Sequence, residues 1–522
     1  MPRWIYILAL MWALPWLACN FPKPKPVAPG TGSEALRQTM QAVPSSLGVE
    51  ATQVYLGSGP VDVSPIPGTA FPATTPLPVE ATSVNGSPDV DGLFAYTVQS
   101  GDTLDALSAR FGVQVGQVVS GQALPESGYL PAGYTLSIPW ELGEVLPSER
   151  LLPDSEVVYS PTSVDFDHDS FVQEAGGYLS VYSQEIDDET VSGIELIRRV
   201  ASQASINPRL LLALLEYRSG WVYGFPADSE RAEYPIGFYI PGRSGLYEEL
   251  LITATQLNVG YYGWRQGSRL TVKFSDHKIA RINPNVNPGT AALQHLMAMF
   301  YPQEDWQSVL YAPAGFPVLY SQIFGDPWER DAISGALIPD GLSQPVLELP
   351  FQAGERWSFT AGPHAAWDTG TPRGAIDFSP VSGGPPCVVS SWWARAAAPG
   401  VVARAERNAV VLDLDGDGYE QTGWVLLYYH LAESELIRAN SQVDLDDVLG
   451  HPSCEGGRAT GKHVHIARKY NGEWMAADGP VPFVLSGWQV VADEKNYHGL
   501  LVRGEQTVTS NSSGNQTSII VR

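Results

Sequence analysis

The chain opens with an apolar run at residues 4–18, behind Met1, Pro2 and Arg3. That length is too short for a comfortable membrane span and reads as a secretory signal, with Cys19 directly behind it. From 20 to 93 the chain is Pro, Gly, Ser, Thr and Val with few charges and no sustained apolar period. Such a composition cannot bury enough surface to offset the entropy of ordering, so an extended linker is predicted. A compact unit follows at 94–141: a short strand through Tyr96 and Val98, a turn at Gly101, Leu104, Leu107 and Phe111 at helical spacing, and a closing strand through Leu136 and Ile138.

Between 150 and 345 apolar residues recur at helical intervals, most clearly over 193–201 and 208–216. Asn207-Pro208 and Asn287-Pro288 supply helix starts, so this stretch is expected to be an all-α domain. From 350 to 490 the period falls to two. The runs 373–378, 424–430 and 462–467 read as strands, and Asn471-Gly472 is a type I′ hairpin signal. A mainly-β antiparallel domain is predicted. Residues 504–522, rich in Ser, Thr and Asn, are expected to form a mobile tail.

Length and composition agree with this division. A chain of 522 residues exceeds what one core organises, and 42 Pro, 51 Gly, 15 Trp and 23 Tyr suit a β-rich, linker-rich exported protein. The net charge of −25 argues against nucleic acid as a partner, since phosphate binding needs clustered Lys and Arg. Beyond Cys19 the only cysteines are Cys387 and Cys454. An exported location permits a disulfide between them, and closing that loop contributes about 4 kcal/mol in the chain-entropy model.

Candidate chemistry concentrates in the last domain. His364, Asp377, His430, His463 and His465 lie on or beside its β runs, and period two puts His463 and His465 on one strand face. Catalytic zinc takes three protein ligands and leaves a position open. Two histidines and one carboxylate suffice, and two histidines remain. No His-Glu-x-x-His occurs, so that source of a glutamate base is missing. Asp413-x-Asp415-Gly416-Asp417 looks like the start of a calcium loop, but Trp424 stands where the twelfth-position Glu belongs. A hairpin turn is the better reading, with calcium at Asp413, Asp415 and Asp417 the lesser one.

His364-x12-Asp377, Tyr429-His430-Leu431 and His463-x-His465 resemble the motif set of the lysostaphin/β-lytic zinc metalloendopeptidases, the LytM-type peptidases of bacterial cell walls. The long first spacing is similar to the β-lytic branch. Arg373 fills the position four before Asp377, so the short lysostaphin spacing is not available. The resemblance implies His364, Asp377 and His465 as ligands of one Zn²⁺ per chain, and His430 and His463 as catalytic groups. Residues 96–139 resemble a LysM module, a βααβ fold that binds N-acetylglucosamine-containing glycans. Residues 207–220 resemble the catalytic helix of lytic transglycosylases and goose-type lysozymes, but Arg218 stands where that family has its acid Glu. The resemblance therefore implies a lysozyme-like middle domain without its reaction, since Arg cannot donate the proton.

Residues 16–19 resemble a bacterial lipobox, with Trp16 and Leu17 as departures from it, which implies lipid on Cys19 and anchoring at the outer face of the cell membrane, or else secretion. The expected function is an extracytoplasmic zinc endopeptidase cutting peptide cross-links of peptidoglycan, held on glycan by LysM. Two alternatives stand beside it: a non-catalytic wall-binding scaffold or hydrolase regulator, disfavoured because family members of that kind typically lack the metal ligands, and glycan cleavage by the middle domain, disfavoured by Arg218.

Overall fold

The structure is a computed structural model that describes residues 92–522. The apolar run at 4–18, Cys19 and nearly all of the linker lie outside the described residues. No described helix is long and apolar enough to cross a membrane.

The first unit is built from β1 (Leu93–Thr97), α1 (Leu104–Phe111), β2 (Val119–Ser120) and β3 (Thr135–Pro139). Alternation in β1 buries Phe94 and Tyr96, which meet Leu107, Phe111, Leu136 and Ile138 in a small core. Thr103 caps α1 by accepting from the Ala106 N–H, and Gly112 closes it in the left-handed region. The expected second helix is only a 3₁₀ turn, Val115–Gln117. The run Val115-Gly116-Gln117-Val118-Val119, three β-branched residues and a glycine among five, is too poor a helix former to continue.

The middle domain carries α2 (His168–Ala175), β4 (Ser183–Ile186), β5 (Glu189–Ser192), α3 (Gly193–Ala204), α4 (Pro208–Ser219), α5 (Ser229–Glu233), α6 (Leu246–Arg265), β6 (Thr271–Lys273), β7 (Ile279–Arg281), α7 (Pro288–Ala298), α8 (Gln303–Tyr311), α9 (Phe316–Phe324) and α10 (Pro327–Ser334). It is not all-α as expected. Asp187 and Asp188 both adopt positive φ, 52° and 68°, and turn β4 back on β5, and β6 pairs with β7 in a second hairpin. Asn207 caps α4, with Pro208 in its first turn. The long α6 packs against α7 at Gly260, where a Cβ would come within 2.7 Å of the Ala292 Cα.

In the last domain β8 (Arg356–His364), β9 (Ala375–Pro380), β11 (Gly400–Glu406), β12 (Ala409–Asp413), β13 (Trp424–Tyr429), β14 (Gln442–Val443), β16 (Val464–Tyr470) and β22 (Ile519–Val521) form one antiparallel sheet in the order β14-β11-β12-β13-β16-β9-β8-β22, with β17 (Glu473–Trp474) hairpinned onto β16. Asn471 and Gly472 turn that hairpin with positive φ of 46° and 79°. The expected mobile tail is instead ordered: Ile520 is buried and lies opposite Trp357. β10 (Ala394–Arg395) pairs with β15 (Val448–Gly450), and residues 484–509 add a four-stranded sheet, β18 (Val484–Leu485), β19 (Trp488–Ala492), β20 (Gly499–Arg503) and β21 (Gln506–Thr509).

Alternation sorts the main sheet into two faces. Ile376, Phe378, Leu426, Tyr428, Val464 and Ile466 face a core shared with β19 and β20. Ala375, Val425, Leu427, Tyr429 and Ala467 face the helical domain. That second face is also the one that bears Asp377 and His465. A buried junction joins all three units: the Arg265 guanidinium donates to the Ser100 carbonyl at 2.7 Å, to Asp154 at 3.1 Å, and to both oxygens of Glu473 at 2.8 and 2.9 Å. Removing one partner of such a buried pair costs about 3–5 kcal/mol.

Candidate metal and catalytic centre

Three neighbouring strands bring the predicted ligands together. His465 on β16 lies opposite Asp377 on β9, and β9 pairs with β8 so that His364 faces Ala375, two residues before Asp377. The β8 register shifts between Ala361 and His364, and such irregularities re-aim a side chain at the end of a strand. The resulting triangle is tight. His364 Nε2 is 3.0 Å from His465 Nδ1, and Asp377 Oδ1 is 3.3 Å from each.

Those atoms fit a single cation. Tetrahedral bonds of about 2.0–2.1 Å from N and O ligands put ligand atoms about 3.3 Å apart. The far side of each imidazole is tied to a backbone carbonyl: His364 Nδ1 to Gly362 at 3.0 Å and His465 Nε2 to Ala366 at 3.0 Å. With a proton donated there, the nitrogen inside the triangle carries the lone pair. Asp377 Oδ1 is buried without a hydrogen bond. Burial alone would raise the Asp377 pKa, but the imidazoles of His364 and His463 hold it well below the usual carboxylate range. All three residues are buried and can hold a metal ion together. Tyr497 stacks on His364 with ring centres 4.6 Å apart. Nothing in the sequence marked that contact.

His430 and His463 flank the triangle. In a continuing strand His430 would point away from the Tyr429 face. Its φ of 64° breaks the alternation and brings its ring to 4.5 Å from His463 and 6.2 Å from His465. A left-handed non-glycine residue at a site of this kind is strain held by its surroundings. His430 Nδ1 donates to the Glu455 carbonyl at 2.9 Å and His463 Nδ1 to the Gly461 carbonyl at 2.7 Å, which leaves each Nε2 free to take or give a proton. His463 Nε2 stands 3.6 Å from Asp377 Oδ2. Burial pushes the His430 pKa down to about 3, so its imidazole is neutral.

The other candidates lie apart from this centre. Cys387 and Cys454 form a disulfide. Asp413, Asp415 and Asp417 sit close together in the β12–β13 turn, at the other end of that hairpin from His430. The Asp413 carboxylate accepts from the N–H groups of Asp415 and Gly418 at 3.0 and 2.8 Å, which closes the turn. In the middle domain Glu216 accepts from the N–H groups of Val222 and Tyr223, and Arg218 donates to the Ile236 carbonyl and lies over the Phe300 ring. Both side chains are engaged in holding local structure.

Residues 150–337 match the family described as LasA, N-terminal domain, and residues 96–139 match the LysM domain. The protease LasA of Pseudomonas aeruginosa is 25% identical over 362 residues, 65% of this chain and 78% of its own length. The β-lytic metalloendopeptidase of Lysobacter enzymogenes is 27% identical over 167 residues, 30% of this chain and 84% of its own length. Among solved structures, the M23 metalloprotease pseudoalterin from the deep sea is 22% identical over 34% of this chain and all of its own, with a TM-score of 0.28. On these matches the chain is similar to LasA and the β-lytic metalloendopeptidases, with a LysM domain ahead of a region that matches the LasA N-terminal domain and of the β domain that bears the triangle.

Proposed function

We propose that the protein is an exported zinc endopeptidase that cuts peptide cross-links of peptidoglycan. The observation that carries this reading is the triangle of His364 Nε2, Asp377 Oδ1 and His465 Nδ1, with sides of 3.0–3.3 Å and two further imidazoles beside it. Bound there, zinc supplies Lewis acidity towards a peptide carbonyl and towards water. The chain's own residues handle the protons. His430 and His463, each anchored through Nδ1–H to a carbonyl, turn Nε2 to the reaction: an unprotonated Nε2 acts as general base, and an Nε2 that has taken up a proton donates to the developing oxyanion. Asp377 serves two groups, with Oδ1 towards the ligand imidazoles and Oδ2 towards His463.

The LysM domain supports a glycan partner, since a glycan-bound chain meets cross-links at raised effective concentration. Export rests on the apolar run 4–18, and lipid on Cys19 would keep the chain at the outer face of the membrane. Peptidoglycan incubated with the full chain and analysed by mass should yield fragments with new amino termini, abolished by a chelator. Anhydro-sugars or new reducing ends would point to glycan cleavage by the middle domain. Absence of products would point to a wall-binding scaffold.

A further inference from the structure

Residues 451–463 run from β15 (Val448–Gly450) to β16 as an irregular loop, tied to its neighbours by isolated bridges between Leu431 and Pro452 and between Ser453 and His463. This loop nevertheless carries the contacts that orient the two flanking histidines. Ser453 donates to the His430 carbonyl twice, through its N–H at 2.7 Å and its hydroxyl at 3.0 Å. The Ser453 carbonyl accepts from the His463 N–H at 3.3 Å. The Glu455 carbonyl accepts from His430 Nδ1 at 2.9 Å, and the Glu455 N–H donates to the Ser453 hydroxyl at 3.0 Å.

Cys454 stands between those two residues, and its disulfide reaches Cys387. Residues 383–389 around Cys387 are exposed. They return to the site at two points: the Pro386 carbonyl accepts from the Lys462 N–H at 2.6 Å, next to His463, and the Ser390 N–H donates to the Pro452 carbonyl at 2.9 Å. On the other side of Glu455, Gly456 and Gly457 both take positive φ, 70° and 75°, so the backbone there is intrinsically permissive. The cross-link is the covalent tie on a segment otherwise held by hydrogen bonds, among them those that the Glu455 carboxylate accepts from Asn408 Nδ2 and the Glu433 N–H, each at 2.9 Å. The metal triangle does not depend on it, because its outer hydrogen bonds run to Gly362 and Ala366.

We infer that the Cys387–Cys454 disulfide, acting through Ser453 and Glu455, positions His430 and His463 for proton transfer, so that breaking it lowers turnover while metal stays bound. The inference rests on the catalytic roles proposed above for those histidines. Cys454, Ser453 and Glu455 are positioning residues: they act through the imidazoles and do not touch substrate. Displacing a reacting group by about 1 Å costs about 10²-fold in rate.

The test uses the full, metal-loaded chain. A dithiol passes two electrons and two protons to the bridge, giving two thiols while closing to its own cyclic disulfide. The thiols are then alkylated and the reagent removed. We expect kcat on a peptide substrate to fall about 10²-fold with KM within about twofold. Metal content should be unchanged, and the hydrogen-bonded Nδ1–H proton resonance of His430 should be lost. Ser453→Ala and the double variant Cys387→Ser with Cys454→Ser should reproduce the pattern without reductant. Wild-type turnover by the reduced chain, with His430→Ala inactive, would overturn the inference and leave the catalytic reading intact. Metal lost in step with activity would overturn it as well, since the bridge would then be a purely structural staple. Full activity in His430→Ala would instead overturn the catalytic reading and this inference with it.

Discussion

Each histidine of the centre is held by a backbone carbonyl, and which nitrogen is held decides its role. His465 is tied through Nε2 and turns Nδ1 to the triangle, whereas His463, two residues earlier, is tied through Nδ1 and turns Nε2 towards Asp377. His465→Ala, His364→Ala and Asp377→Ala should therefore lose metal on dialysis, read by elemental analysis. His463→Ala and His430→Ala should retain about one metal per chain while turnover falls about 10²–10⁴-fold. Metal kept by His465→Ala and lost from His463→Ala would reverse the assignment.

A second residue-scale expectation concerns Glu420, buried between Arg404 on β11 and Lys469 on β16 at 2.9 Å from each. Burial would raise its pKa, but the two cations outweigh that and bring it down to about 2. A depressed carboxylate stabilises the fold at pH values above its unfolded pKa of about 4.3. That stabilisation should drain away as pH falls from there towards about 2. Thermal unfolding of the wild type should weaken across that window more steeply than that of Glu420→Gln. Equal slopes would show that the triad carries no net linkage.

The strands that build the centre were legible because two strong constraints coincide in them. Few residue types ligate zinc, and period two fixes which of them share a face, so His463-x-His465 and Asp377 could be placed before any fold was known. The C-terminal strand was not legible. Ile519-Ile520-Val521 is a three-residue apolar run behind Ser, Asn and Gly, and its partner lies far away: the hydroxyls of Ser358 and Ser518 meet at 2.8 Å across 160 residues of sequence. Local pattern carries no trace of such pairing. Because Ile520 is buried against Trp357, Ile520→Ala should destabilise the peptidase domain by about 2–5 kcal/mol in denaturant unfolding. A change within about 0.5 kcal/mol, usual for a surface position, would restore the mobile tail.

At the scale of the molecule the sequence pattern described separate domains, while the structure interlocks them. The face of the sheet that bears Asp377 and His465 continues into the core of the helical domain through Val425, Leu427, Tyr429 and Trp474. The LysM domain docks on α6, where Arg110 donates to the Trp264 carbonyl and Arg265 to that of Ser100. An apolar residue in a strand announces that it will be covered, but not by what. The calcium-like turn and the lysozyme-like helix show the same limit from the other side. Asp413 and Glu216 both accept from nearby backbone N–H groups, a role that leaves no signature distinct from ligation or catalysis in sequence.

The central claim is that peptide-bond cleavage depends on one metal held by the His364–Asp377–His465 triangle. The most direct measurement is a zinc titration of the chelator-stripped full chain, with hydrolysis of peptidoglycan peptides followed at each addition. Activity should rise from zero and saturate at about one zinc per chain, with no recovery in His465→Ala at the same additions. Hydrolysis by the stripped chain, or recovery in His465→Ala equal to that of the wild type, would contradict the account.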